Sequence, residues 1–119
     1  MRPTKLQAAV GGGFVGIGTL HFTNTRWFER IMPPYVPRHR EAVLVSGVAE
    51  IAGGVGVLAS PARPYARWWL LALLGAVFPA NVHMALNSGD FKEMPAWSLW
   101  ARLPFQFVFA LAVWRATAD

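Results

Sequence analysis

Six polar side chains lie within otherwise apolar stretches of this chain and could do chemistry there: His21, Glu50, Asn81, His83, Arg102 and Gln106. A carboxylate and an imidazole can pass a proton between themselves and a substrate, and a guanidinium can stabilise developing negative charge. The catalytic candidates are therefore His21, His83 and Glu50, with a histidine as proton donor or acceptor and Arg102 as the electrostatic stabiliser. Taken as a ligand-binding set, Glu50 and Arg102 would orient a polar end while His21, Asn81, His83 and Gln106 supply adjustable hydrogen bonds.

Each of these residues also has a plainer reading. Glu50 with Arg102 forms either a buried ion pair that fixes helix register or one border of a polar pocket. Beside Arg102, Glu50 would stay ionised and donate protons poorly. Asn81 and His83 read as interhelical hydrogen-bonding groups, and His21 as an interface anchor. Two imidazoles and a carboxylate are metal-ligand types, but no dense spacing such as H-E-x-x-H is present, so no metal is expected. No motif places a nucleophile for a Ser-His-Asp arrangement. The absence of cysteine removes disulfides, thiolate catalysis and Cys-based zinc sites. Gly11 to Gly16 satisfies G-x-G-x-x-G literally, yet no strand precedes it and no βαβ pattern surrounds it, which excludes a dinucleotide loop.

The elements that must hold these residues are four apolar segments, at about 6–22, 42–58, 67–86 and 96–116, each long enough to cross a bilayer or nearly so. The whole chain of 119 residues reads as one domain, and 55% hydrophobic residues is high for a soluble protein of this size. The expected fold is all-α: a four-transmembrane-helix antiparallel bundle with an interfacial first loop. The amino-terminal stretch reads as a retained signal-anchor helix rather than a cleaved signal. Glycines crowd the first two segments, and Gly12 with Gly16 makes a small-x-x-x-small pair expected to pack within the molecule. Trp68, Trp69, Trp97, Trp100 and Trp114 mark segment ends at headgroup depth, and Pro79 should bend the third segment. The long connection from Thr23 to Glu41 carries Trp27, Phe28, Ile31, Met32 and the run Pro33-Pro34-Tyr35-Val36-Pro37, suited to the membrane interface or to capping the bundle.

In such a bundle the first and third helices end where the second and fourth begin. Glu50 then lies roughly 12 Å into its helix, and Arg102 and Gln106 roughly 8 and 14 Å into theirs. Asn81 and His83 fall at similar depth and His21 shallower, so all six share one half of the membrane. Phe78, Phe91, Phe105, Phe107 and Phe109 read as helix packing and lipid contact, or as the lining of a hydrophobic pocket.

Lys and Arg outnumber Asp and Glu by 11 to 6, but they cluster at segment ends, as topology and headgroup anchors rather than a nucleic-acid surface. Arg2, Lys5, Arg63, Arg67 and Arg115 fall on one side and Arg26, Arg30, Arg38, Arg40 and Lys92 on the other. The second group is offset by Glu29, Glu41, Asp90 and Glu93, so the balance leans toward both termini cytoplasmic.

Several motifs occur in a particular order: His21-Phe22 with Phe28 and Ile31, the Pro33 to Pro37 loop, Ser46-Gly47-x-x-Glu50-Ile51-x-Gly53-Gly54, Phe78-Pro79-Ala80-Asn81, and Arg102-Leu103-Pro104-Phe105-Gln106. In these the chain resembles the DoxX-like family of small four-helix bacterial membrane proteins. That resemblance implies a multi-pass protein of the bacterial inner membrane, with some relatives linked to quinone-associated redox systems. The chain itself shows no haem or flavin motif, so no cofactor of its own is expected, with quinone as the candidate ligand. The expected role is an accessory or scaffold protein with an outer-half pocket for quinone or lipid; the alternative is a membrane-embedded enzyme acting on a hydrophobic substrate by His/Glu acid-base chemistry. Expected partners are membrane lipids and a membrane redox complex or a second copy of the chain.

Overall fold

A computed structural model describes residues 3–30, 32, 34–91 and 94–118. The expectations placed on Met1, Arg2, Ile31, Pro33, Lys92, Glu93 and Asp119 lie outside them. The described chain is all-helical: α1 (Lys5–Thr23), α2 (Thr25–Arg30), α3 (His39–Leu58), α4 (Arg63–Leu86) and α5 (Ala96–Ala116), with single 3-10 turns at Ser60–Ala62 and Ser88–Asp90.

Local chemistry sets the ends. Thr4 caps α1 in a reciprocal box: its hydroxyl accepts from the Gln7 backbone at 3.1 Å, and the Gln7 side chain accepts from the Thr4 backbone at 2.8 Å. The third segment starts earlier than expected, at Arg63, because Pro64 falls in the first turn, where its missing N–H costs nothing. The second begins at His39 after Arg38, which sits in the left-handed region at φ 53°. The fourth has the expected bounds, and the first loop contains the short helix α2.

Among the described residues three helices are long and apolar enough to cross a membrane: α3, the stretch Ser60–Leu86, and α5. The first segment is not one of them, since glycines at 11, 12, 13, 16 and 18, with Gln7 and His21, dilute its apolar character. The three long helices leave large apolar side chains on the outside, Val45, Val48, Trp68, Phe105, Phe107 and Phe109 among them, as lipid requires and water does not. This is an integral membrane protein of multi-pass type.

The four long helices form a ring in the order α1, α3, α4, α5, so that α3 and α5 stand on opposite corners. Glycine decides how close α1 lies to α3. A Cβ on Gly18 would stand 2.7 Å from the Gly47 carbonyl oxygen, and one on Gly54 would stand 2.5 Å from that of Gly11. The two backbones touch, and the pairing of 18 with 47 and 11 with 54 makes the helices antiparallel. The expected pair Gly12 and Gly16 takes no part: nothing lies within 4 Å of where their Cβ atoms would be. At 3.6 residues per turn the stripe that faces α3 runs through 11 and 18, which turns 12 and 16 away.

Two apolar clusters hold the ring. Toward the chain termini, Val57, Ala66, Leu70, Val113 and Ala116 gather with Val10 and Phe14. Toward the first loop, Met84, Ala85, Phe91 and Leu99 gather with Trp27, Phe28, Met94 and Leu103. The first loop thus caps the bundle by inserting aromatic rings from α2.

The terminal end is also tied by polar contacts. Arg63 donates to the carbonyls of Val57 and Leu58 at the end of α3. Arg67 donates to the Trp114 carbonyl and the Thr117 hydroxyl, each at 3.1 Å, with its guanidinium 3.8 Å from the centre of the Trp114 ring. Gln7 donates to the Ala116 carbonyl at 3.1 Å, joining α1 to α5. Carbonyls at a helix C-terminus lack intrahelical donors, and cations are favoured there by the helix dipole.

Candidate functional site

The close approach of α1 and α3 creates the most chemically suggestive contact in the molecule. Without a side chain at Gly47, His21 at the end of α1 lies against α3, its Cβ 2.8 Å from where a Cβ of Gly47 would stand. Glu50 projects from α3 one turn further on, and its Oε2 stands 3.4 Å from His21 Nδ1. The side chains are 9% and 16% exposed, so neither reaches bulk solvent or lipid freely.

The hydrogen bonds fix the tautomer. His21 Nδ1 is 2.8 Å from the Ile17 carbonyl oxygen, which can only accept, so Nδ1 carries the hydrogen and donates to it. In the neutral ring Nε2 is then the basic nitrogen. Phe28 stacks on the imidazole at 4.0 Å between centroids and 18° between planes, covering one face of the ring. Glu50 Oε2 is buried and has no hydrogen-bond partner, although the imidazole stands beside it. The arrangement is a carboxylate poised against a histidine with an oriented ring and a shielded face.

The remaining candidates group differently from the sequence expectation. Among the described residues Glu50 and Arg102 form no ion pair. Their helices occupy opposite corners of the ring, and counting residues along a helix gives depth but not which neighbour it faces. Arg102 instead donates to the Met84 sulfur at 3.9 Å. Asn81 donates to Gln106 Oε1 at 2.9 Å, and the Gln106 amide donates to the Leu74 carbonyl.

Pro79 lies close to that last contact. A proline inside a helix removes one N–H and pushes against the carbonyl four residues before it, so the Gly75 carbonyl, next to Leu74, loses its helical donor. Gln106 reaches the neighbouring Leu74 carbonyl from the facing helix as an added donor.

His83 lies apart. Tyr35 meets it edge-on at 5.3 Å and Phe91 at 6.1 Å, and its Nε2 is buried without a partner. Among the described residues no three His, Asp or Glu side chains come together as a metal-binding group. Phe78 and Phe107 meet edge-on at 5.8 Å, and Phe105 and Phe109 lie 6.4 Å apart on the exposed side of α5.

Two open grooves lie on the outside. One is lined by Leu44, Val45, Val48, Ala49 and Trp69, the other by Arg26, Glu29 and Arg30. Neither is lined by any of the six polar residues.

Sequence reasoning missed the contributions of Phe28, Met84 and the Ile17 and Leu74 carbonyls. One of these had a signal: Phe28 sits in an aromatic loop expected to cap the bundle.

A family model described as Domain of unknown function (DUF8561) matches residues 10–117. No curated protein and no solved structure matches the chain.

Proposed function

The chain belongs to the family described as Domain of unknown function (DUF8561), and from its own residues we propose a membrane-embedded site that handles protons through His21 and Glu50. The observation that carries the reading is the shielded contact of 3.4 Å between a tautomer-fixed imidazole and a carboxylate with no other partner. His21 Nε2 accepts a proton from a hydrophobic substrate. The bond to that hydrogen breaks, its electron pair stays on the substrate, and Glu50 balances the charge on the ring. Return of the proton to another substrate atom restores the site. Such a step is an isomerisation and needs no redox partner.

The surrounding architecture is an antiparallel bundle in which α1 crosses with α3, since glycine contact holds the two together from Gly11 to Gly18. Its place is the bacterial inner membrane with both termini cytoplasmic, as the DoxX-like resemblance and the charge balance suggest. A quinone- or lipid-binding accessory role ranks second, because Glu50 and Arg102, the pair that would orient such a ligand's polar end, do not come together.

Infrared difference spectroscopy of the protein in lipid discs across a pH titration tests the reading. The carboxyl band lost in Glu50→Gln and the imidazole bands lost in His21→Ala are expected to titrate together in the native chain. A Glu50 band that titrates identically in His21→Ala would show two independent groups and end the proposal.

A further inference from the structure

Among the described residues Arg102 is a cation without an anion. The chain's one carboxylate inside a long apolar stretch, Glu50, faces His21, and among the described residues Arg102 forms no ion pair. Its one hydrogen bond runs to a thioether, a poor acceptor for a group with five N–H donors. An uncompensated charge inside the bilayer is costly unless it finds a counter-charge.

Position and surroundings say what that counter-charge belongs to. Arg102 lies six residues past the start of α5, roughly 9 Å along the helix and within snorkelling reach of the headgroup layer. Trp97 and Trp100, 72% and 50% exposed, mark that layer just above it. Below it Phe105 and Phe109 follow at three and seven positions on the same helix face, each 55% exposed. A guanidinium thus heads an apolar track that points away from the interface. We infer that Arg102 with Phe105 and Phe109 forms a docking site for an anionic amphiphile, its oxyanion headgroup on the guanidinium and its acyl chain along the two rings. This site is independent of the His21–Glu50 reading and survives its failure.

Native mass spectrometry of the full chain, released from discs of equal phosphatidylglycerol and phosphatidylcholine, tests it. Phosphatidylglycerol is expected to remain preferentially bound, and Arg102→Gln to weaken that binding about tenfold, the worth of one charge-assisted hydrogen bond. Arg102→Lys should keep much of the preference. Should Arg102→Gln fail to fold, Phe105→Ala with Phe109→Ala is expected to weaken binding while leaving the headgroup preference intact. Equal retention of both lipids by the native chain, or an unchanged preference in Arg102→Gln, overturns the proposal. Displacement of the lipid by inorganic phosphate would mark a free-anion site and overturns it equally.

Discussion

At Gln106 a single carboxamide satisfies two groups at once, accepting from Asn81 and donating to the Leu74 carbonyl beside the Pro79 break. Gln106→Leu removes both bonds and leaves the half-buried Asn81 amide without its acceptor where no water replaces it, so it should destabilise the fold by about 1–3 kcal/mol. A lowered midpoint of unfolding in mixed detergent micelles would register the loss, and Gln106→Glu should recover only the bond accepted from Asn81. This partnership was half legible in the sequence. The polar residues could be read, and so could their depth, because both follow from residue type and helical rise. Their pairing could not, because which face of each helix meets which neighbour depends on the order of helices in the ring. Depth and opposite charge pair Glu50 with Arg102, whereas α3 lies against α1 and so Glu50 meets His21.

Among the elements, α1 and α3 are joined by backbone contact, while α4 and α5 meet through side chains such as Asn81 with Gln106 and Arg102 with Met84. Adding volume at the glycine seam must therefore separate α1 from α3. Gly47→Leu is expected to cost at least about 1–3 kcal/mol and to break the His21–Glu50 contact, whereas Gly12→Leu, facing outward, should leave the thermal midpoint unchanged. Differential scanning fluorimetry of the two variants separates these outcomes. Glycine density was visible in the sequence, but not which glycines face inward: the literal small-x-x-x-small pair chose 12 and 16, and the fold uses 11 and 18. The ends of α5 were legible because flanking tryptophans and a preceding proline bound it, while α3 starts three residues earlier than its apolar run, at the polar His39-Arg40-Glu41.

For the whole molecule, the proposed crossing of all four long helices makes a directional prediction that a chain without cysteine tests cleanly. Single cysteines at Thr4, Ser60 and Ala118 should react with an impermeant maleimide from one face of the membrane, and those at Tyr35 and Ser88 from the other. Labelling of Thr4→Cys from the same face as Ser88→Cys would mean that α1 does not cross. The seam between α1 and α3 carries one more consequence. Where two helices meet through bare backbone, neither can gain a methyl group unless the other yields space, and Gly18 and Gly47 have no side chain left to yield. A larger residue at either position, alone or with the other, must push the helices apart. The histidine and the carboxylate are thus held at a separation that substitutions on the lipid-facing surfaces leave untouched.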